Sequence, residues 1–305
     1  MMKPLFRIIP SHEIDTARWD QCVTTHQNGL IYSTTQYLGT LCDNWHGLVK
    51  DDYTAVMALP WRTKYGVRYL YTPAFIQQLG LVGEIAENDL PEALDLIPRF
   101  VRYGDIHLNF LNEFVQNNAI VTTRTNLVID LNRTVDNIRS AYKNDLTENI
   151  RKAATHDLVY ENAEMREAIT QFKKQYGARI HRVTDEDFRR LEQLCVLLFA
   201  SGNCFVRSVT DNTGSLLAIA LFLKDQKRIY NILNTTLAAG RDKEANHFLL
   251  DSLINEFAGS PLILDMEGSD LSGVRKFYSS FGATNQPYFH YHYNALPSFL
   301  RFVKK

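Results

Sequence analysis

The sequence predicts an α/β protein with mixed sheets, in which one architecture occurs twice. The chain has 305 residues, which is enough for two domains of ordinary size. Apolar residues make up 45% and charged residues 22%, as expected for a globular chain with a sizeable core. The second half alternates strand and helix patterns, and the first half contains a looser version of the same order. This composition excludes disordered, fibrous and coiled-coil proteins.

The net charge and the cysteine spacing exclude further classes of protein. The 33 Lys and Arg residues balance 34 Asp and Glu residues, for a formal net charge of −1. A protein whose main task is to neutralise many phosphates would carry excess positive charge, although a local basic groove stays open. The 4 cysteines show no C-x-x-C spacing, so neither a zinc site nor a disulfide framework is expected. No apolar run approaches the roughly 18 residues that a membrane span needs, and we expect a cytoplasmic protein.

The first half is predicted from alternating apolar residues and one helical stripe. Leu94, Ile97 and Val101 lie at helical spacing. Pro91 would fall in the first turn of this helix, where its missing N–H costs little, and Pro98 is expected to shorten it. The predicted elements are a helix at 12–23, strands at 54–62 and 67–71, a helix at 89–101, and strands at 106–110 and 126–131.

An amphipathic stretch at 135–156 is interpreted as the joint between the halves. Its apolar face consists of Ile138, Tyr142, Leu146, Ile150 and Ala153. Its other face is basic, and a solvated helix face explains that charge as well as a binding role does. We therefore predict an N-terminal domain over 1–134 and a C-terminal domain over 135–305.

The second half has the more regular pattern. Thr184 precedes an acidic first turn and a buried-type stripe, which predicts a capped helix. Strands are separated by short polar turns, and a small-residue loop at 234–240 leads into a further helix. The predicted elements are a strand at 158–160, helices at 164–176 and 184–200, strands at 204–209, 215–223 and 228–233, a helix at 242–257, a strand at 262–267, a helix at 271–281 and a strand at 288–293.

This order, with meander strands followed by a crossover helix, resembles the GNAT acyltransferase fold. The segment VRKFYSSFGA at 274–283 looks like the GNAT segment in which an aromatic–Tyr pair precedes a Gly-containing turn. The segments LDMEGS at 264–269 and KNDLTENIRKA at 143–153 are similar to Fem-type peptidyl transferases, whose FemAB-like relatives have about this length. The resemblance covers essentially the whole chain. It implies two tandem GNAT-like acyl-CoA N-acyltransferase domains, with the acceptor side in the first and the acyl donor in the second.

The resemblance also implies acetyl-CoA or another acyl-CoA as donor, held at the loop and helix that follow the strand at 228–233. A helix N-terminus suits phosphates because it offers free N–H groups. The stretch at 235–246 departs from the GNAT pattern [Gln/Arg]-x-x-Gly-x-[Gly/Ala]. An aminoacyl-tRNA donor of the Fem type, a non-catalytic binding protein and an ordinary surface loop therefore stay open, although the near-neutral charge disfavours tRNA. The candidate donor-binding residues are Leu233, Thr235, Gly240, Arg241, Lys243 and Asn246.

Three residues are candidates for catalysis. Glu267 and Asp265 are two apart on one predicted strand, so they should share a face and could deprotonate an amine directly or through water. The alternative is that such carboxylates cap the next helix, although Ser269 or Asp270 could do so instead. By resemblance, Tyr278 would protonate a leaving thiolate. Its place in an apolar helical stripe is explained equally well by core packing.

The acceptor side is expected in the loop YLYTPAFIQQLG at 69–80. Tyr71, Gln77 and Gln78 follow a predicted strand and could hydrogen-bond a small-molecule or peptide amine acceptor, or cap a turn. His290 and His292 share a strand face, but no third ligand is nearby in sequence and no metal site is predicted.

Overall fold

A computed structural model describes residues 6–113, 120–180, 183–268 and 271–297. The chain forms two compact units. Unit 1 contains Met1–Arg124 and Pro287–Lys305, and unit 2 contains Thr125–Gln286. The first prediction placed a boundary at residues 134 and 135. The observed division lies between Arg124 and Thr125, and the segment Pro287–Lys305 belongs to unit 1.

Strands occupy much of both units. In chain order they are β1 Phe6–Pro10, β2 Trp45–Lys50, β3 Ala55–Lys64, β4 Val67–Tyr71, β5 Leu81–Gly83, β6 Tyr103–Leu108, β7 Ile120–Arg124, β8 Leu127–Asp130, β9 Val159–Asn162, β10 Cys204–Thr210, β11 Leu216–Lys224, β12 Arg228–Thr236, β13 Ile263–Asp265, β14 Thr284–Asn285 and β15 Tyr288–Asn294. The helices are α1 Thr16–Thr25, α2 Thr35–Leu41, α3 Asp89–Phe100, α4 Val135–Arg139, α5 Asn144–Ala153, α6 Met165–Tyr176, α7 Asp185–Ala200, α8 Ala238–Arg241, α9 Ala245–Phe257 and α10 Ser272–Ser280.

Unit 1 is organised around a sheet of order β1-β2-β3-β4-β6-β15-β7, with β5 added to β3. Among the described strands of this sheet, β4 and β6 form the parallel pair, and the other neighbours are antiparallel. Helix α3 buries an apolar stripe in the core of this unit. The stripe has helical spacing and consists of Leu90, Ala93, Leu94 and Ile97.

Unit 2 has a sheet of order β14-β8-β13-β12-β11-β10-β9. Here β12 and β13 are parallel and the remaining neighbours in the described part are antiparallel. Helix α6 packs on β12 and β11, and α9 packs on β10, β11 and β12. The core includes the α9 residues Leu249, Leu250, Leu253 and Ile254.

The two sheets have the same strand arrangement. Four antiparallel strands are followed by one parallel strand and then by two more antiparallel strands, as β1–β4, β6, β15, β7 in unit 1 and β9–β12, β13, β8, β14 in unit 2. The C-terminal strand β15 therefore takes in unit 1 the position that β8 takes in unit 2. The predicted α/β fold with a repeated mixed sheet is confirmed.

Three of the predicted elements have different bounds in the structure because of a tertiary contact or of the backbone conformation. The stretch at 135–156 is two helices because Lys143 is extended (φ −72°, ψ 153°) and its N–H donates to the Ser280 carbonyl at 2.9 Å. The helix predicted from residue 242 begins at Ala245 because Glu244 has a left-handed backbone (φ 55°). The strand predicted to residue 267 ends at Asp265.

The helix that Thr184 caps agrees with its prediction, because the expected capping box is present.

Candidate active site

The parallel strands β12 and β13 separate at one end of unit 2. They pair from Arg228 opposite Ile263 to Tyr230 opposite Asp265, where β13 ends. Strand β12 continues to Thr236 on its other neighbour, β11. The part of β12 after Tyr230 therefore has no strand partner on the β13 side among the described residues. Such an opening in a parallel pair exposes backbone groups that a ligand can reach.

A β-bulge in β12 decides which side chains line this opening. Leu221 pairs with Leu233 and Phe222 pairs with Asn231, so one extra residue, Ile232, is inserted in β12. Asn231 lies opposite Phe222 and Asn234 lies opposite Ala220, and both of these partners belong to the core cluster with α9. The bulge thus keeps two asparagines, three residues apart, on the face of β12 that α9 covers.

Glu267 lies in a sharp turn directly after β13. Its backbone is left-handed (φ 59°), and the next residue, Gly268, also has a positive φ of 32°. A Cβ at Gly268 would come within 2.2 Å of the Thr125 carbonyl oxygen, so this turn needs glycine. The Oε1 atom of Glu267 is shielded from solvent and has no hydrogen-bond partner among the residues that the structure describes. Burial raises the pKa of this carboxyl to about 8.

Tyr278 has its ring in the core and its hydroxyl in a polar contact. The ring packs with Phe277 of the same helix and belongs to the core cluster that includes the α9 residues. Its hydroxyl oxygen accepts a hydrogen bond from Asn231 Nδ2 at 3.1 Å. Burial raises the pKa of Tyr278, the Asn231 contact opposes that rise, and Tyr176 and Glu267 add to it. Glu267 therefore contributes to the electrostatics of the phenol. The buried ring fits the alternative of core packing, and the role of Tyr278 as an acid for a leaving thiolate stays a prediction.

Asn231 is a site residue that the sequence analysis missed. Its side chain is 3% exposed, and its buried Oδ1 has no hydrogen-bond partner in the described part of the chain. A polar residue within the otherwise apolar start of a buried strand, Ile229–Tyr230–Asn231–Ile232, was the available signal. We refer to Asn231, Glu267 and Tyr278 as the β12–α10 pocket.

Asp265 has a different environment from Glu267. It is fully buried, and its Oδ2 accepts hydrogen bonds from Arg228 Nη1 at 2.9 Å and Asn126 Nδ2 at 3.1 Å. Its Oδ1 accepts the backbone N–H of Glu267 at 3.0 Å. The expected face-sharing pair does not form because Glu267 leaves the extended strand conformation. The alternative caps, Ser269 and Asp270, lie outside the described residues.

Two of the predicted donor-binding residues have unsatisfied polar atoms. Within the described ranges, Thr235 Oγ1 and Asn246 Oδ1 are buried without hydrogen-bond partners. Thr235 lies in β12 beyond its pairing with β13, and Asn246 lies in the first turn of α9. Leu233 is buried in the same strand, opposite Leu221. Buried polar atoms in this state are rare in folded proteins, so they mark positions suited to a polar ligand.

The residues chosen for phosphate binding have other contacts. Lys243 Nζ lies 3.0 Å from Asp211 Oδ2, so its charge is already paired. Gly240 lies in the short helix α8, where a Cβ would come within 2.2 Å of the Leu217 carbonyl oxygen. Its small size is therefore required by packing. Arg241 is exposed at the end of α8.

The predicted acceptor residues lie in unit 1 and mostly support its structure. Gln78 is fully buried, and its Oε1 accepts the Phe110 N–H at 3.1 Å. The Gln77 carbonyl oxygen accepts from His107 Nδ1 at 3.0 Å. Tyr71 is half-buried, its hydroxyl accepts the Asp43 N–H at 3.3 Å, and burial raises its pKa to about 12. Tyr71 thus has a structural contact in addition to any ligand role.

His, Cys, Asp and Glu side chains can bind a metal ion where several of them cluster. In the described ranges, no group of three or more His, Cys, Asp or Glu residues could hold a metal ion. His290 instead pairs with Asp105 on the neighbouring strand β6. The helices of the described part include none that is long and apolar enough to cross a membrane. The four cysteines are buried as free thiols.

Similar solved structures define the fold class. The chain has the FemAB-like, tandem GNAT fold. FemX is similar with a TM-score of 0.67 at 12% identity, over 100% of both chains. L-PGS from Bacillus licheniformis is similar with a TM-score of 0.55 at 9% identity, over 95% of both chains. A tandem GNAT protein from the clavulanic acid biosynthesis pathway gives a TM-score of 0.54 at 10% identity, over 96% of this chain and 100% of that chain. Neither a protein-family model nor a curated protein matches the sequence.

Proposed function

We propose that the protein is an N-acyltransferase that moves an acyl group from an acyl-CoA-type donor to an amine in the β12–α10 pocket. The observation that carries this proposal is the environment of Glu267. Its carboxyl has a solvent-shielded oxygen with no hydrogen-bond partner among the described residues and a pKa raised to about 8, and this carboxyl adds to the rise in the pKa of the Tyr278 phenol. Perturbed acids and bases of this kind are characteristic of catalytic sites.

Glu267 would act as the general base. An amine must lose a proton before it attacks, and an alkylammonium group has a pKa of about 10.4, as in lysine. With an ordinary glutamate the proton transfer is uphill by about 6 pKa units. With the pKa of Glu267 at about 8, the gap falls to roughly 2.4 units. Burial therefore makes Glu267 a much better proton acceptor for an amine than a solvated carboxylate would be.

Tyr278 would act as the general acid. Its raised pKa keeps the phenol protonated at neutral pH. Because Asn231 Nδ2 donates to the phenol oxygen, the hydroxyl hydrogen of Tyr278 is not directed at that nitrogen. It is available to the group that leaves the acyl carbon. The amine nitrogen forms the new C–N bond, the donor's C–S bond breaks, and the phenol proton goes to the departing thiolate.

The donor would lie along the separated part of β12, next to Leu233 and Thr235. Support comes from the unpartnered Oγ1 of Thr235 and Oδ1 of Asn246. A Fem-type aminoacyl-tRNA donor is the second candidate, because Lys243 is paired with Asp211 and the phosphate-binding pattern is missing. A non-catalytic ligand-binding role is the third. We assign the donor side to unit 2, and a cytoplasmic location fits either donor.

Ligand binding separates these candidates. A donor present at 100 times its Kd stabilises the folded protein by about 2.7 kcal/mol, which a thermal-shift titration detects. We expect such a shift with coenzyme A and acetyl-CoA. Binding of tRNA with a steep salt dependence, and no shift with coenzyme A, would favour the Fem-type donor. Absence of binding to both would favour the non-catalytic role.

Turnover tests the two catalytic assignments. Glu267→Gln and Tyr278→Phe should each lower acetyl transfer from acetyl-CoA to a primary amine by about 10²-fold or more. Glu148→Gln changes an exposed glutamate of the same unit and is the matched control. Unchanged turnover in both pocket variants would contradict the assignments.

A further inference from the structure

Three histidines lie together on one face of the unit 1 sheet, outside the strands that the proposed reaction uses. His107 belongs to β6, and His290 and His292 belong to the neighbouring strand β15. The ring centroids of His107 and His290 are 5.3 Å apart, and those of His290 and His292 are 6.5 Å apart. We refer to these three side chains as the imidazole cluster and to the boundary that they bridge as the β6–β15 seam.

The other face of the seam is apolar. Ile106 and Leu108 of β6 and Phe289 and Tyr291 of β15 belong to the core cluster that contains the α3 stripe. Because side chains alternate along a strand, the imidazole cluster lies on the face turned away from this core. Its three residues are each partly buried. Water therefore solvates them less than it solvates a histidine in an unfolded chain.

The groups around the imidazole cluster supply little negative charge. Asp105 of β6 pairs with His290 Nε2 and interacts electrostatically with all three imidazoles. Arg124 of β7 acts on His107 with a positive charge. In the described part of unit 1, a carboxylate thus faces three imidazoles and a guanidinium. The uncharged groups that contact the cluster are the Gln77 carbonyl, the Thr122 hydroxyl and the rings of Tyr103 and Tyr288.

The two sides of His107 respond differently to a proton. On one side, its Nδ1 donates to the Gln77 carbonyl oxygen at 3.0 Å, a contact that favours the charged imidazole. On the other side, His290 of β15 opposes that charge. Burial has the largest effect and lowers the pKa of His107 to about 4, so the ring is neutral at pH 7. A proton on His107 therefore weakens its contact with β15 and leaves the contact with Gln77 intact.

We propose that the β6–β15 seam is an acid-sensitive latch, in which protonation of the imidazole cluster separates β15 from β6 and opens the sheet of unit 1. This conformational step is independent of the proposed reaction, whose residues all belong to unit 2. Its direction follows from the proton affinities of the closed and open states. An imidazole released into water binds a proton below about pH 6.5, whereas His107 in the closed seam does so near pH 4.

The size of the effect follows from the same two values. Since the closed seam has the lowered pKa, its stability is complete above pH 6.5 and is lost as the pH falls towards 4. The equilibrium constant for opening rises by up to about tenfold per pH unit within this window. Between pH 7 and pH 4.5 the expected increase is roughly 60-fold.

Hydrogen exchange of backbone amides in the full chain tests the latch. Protection factors, corrected for the intrinsic pH dependence of exchange, are measured at pH 7 and at pH 4.5. The amides that bond across the β6–β15 seam should lose roughly 60-fold in protection. In His107→Gln, whose amide can still donate to the Gln77 carbonyl, the loss should stay below tenfold. His12→Gln changes an exposed histidine of unit 1 and should behave like the wild-type protein.

A comparison within the wild-type protein distinguishes a latch from unfolding of the whole unit. The strands β2 and β3 lie in the same sheet as the seam. At pH 4.5 the seam amides should exchange at least tenfold faster than those of the β2–β3 pair, because the seam opens alone. Equal protection of the two pairs would overturn the latch even if His107→Gln does not fold. A full loss of seam protection in folded His107→Gln would overturn it as well.

Discussion

Asp265→Asn should destabilise unit 2 strongly, because Asp265 forms a buried ion pair with Arg228. Asp265 is 0% exposed and pairs with Arg228, itself 3% exposed, at 2.9 Å. The substitution removes the negative charge that faces the buried guanidinium of Arg228, whose Nη2 also donates to Gln286 Oε1. Breaking a buried pair in this way costs about 3–5 kcal/mol. For a unit of this size each kcal/mol lowers Tm by roughly 2–4 °C, so a drop of about 6–20 °C is expected.

Urea unfolding can assign this loss to unit 2. All three tryptophans, Trp19, Trp45 and Trp61, belong to unit 1. Tryptophan fluorescence therefore follows unit 1, while far-ultraviolet circular dichroism follows both units. We expect the dichroism transition to move to lower urea and the fluorescence transition to stay. The double variant Arg228→Met with Asp265→Leu should recover most of the loss, because replacing both charges is often neutral. A loss below about 1 kcal/mol in Asp265→Asn would refute the buried-pair account.

Two further stability predictions follow from the same part of the molecule. Because burial raises the pKa of Glu267 from 4.5 to about 8, its stabilising contribution is complete below pH 4.5 and is lost as pH rises through 8. Relative to Glu267→Gln, the free energy of unfolding of the wild-type protein should fall by about 1.4 kcal/mol per pH unit over this window, up to about 5 kcal/mol in total. Curves of Tm against pH that run parallel for the two proteins would contradict this. Gly240→Ala should lower the free energy of unfolding by about 1–3 kcal/mol, because the new Cβ would meet the Leu217 carbonyl oxygen. Chemical denaturation measures this loss, and an unchanged free energy of unfolding would contradict tight packing at Gly240.

Elements specified by short-range contacts were predictable from the sequence. The capping box of α7 forms between Thr184 and Asp187, three residues apart, and the structure confirms it. The stripe of α3 and the meander strands of unit 2 were also predicted, because their apolar spacing is a local property. The repeated sheet order was inferred from the succession of such elements, and it too is confirmed.

Long-range pairing was the main feature that local patterns did not show. The strand at the end of the chain was predicted, but its periodicity carries no sign that β15 pairs with β6 and β7. The break between α4 and α5 depends on a hydrogen bond from Lys143 to Ser280. Such contacts join segments far apart in sequence, so no window of local pattern contains them.

The candidate site was predictable in part for the same reason. Glu267 and Tyr278 were chosen from their positions after a strand and on a helix. In the structure the Glu267 carboxyl adds to the raised pKa of the Tyr278 phenol, and the catalytic roles of both residues stay predictions. Asn231 was missed because its significance depends on the bulge at Ile232 and on Tyr278, 47 residues away. Lys243 was chosen by its charge, but the partner that occupies it, Asp211, lies in a different turn.

The pH dependence of acetyl transfer from acetyl-CoA to n-butylamine tests the central claim most directly. If Glu267 is the base, the rate should rise with pH to a plateau with a midpoint near 8, the value set by its burial. Glu267→Gln should lose both the rate and this midpoint, while Glu148→Gln keeps them. Equal rates in wild type and Glu267→Gln across the whole pH range would contradict the account.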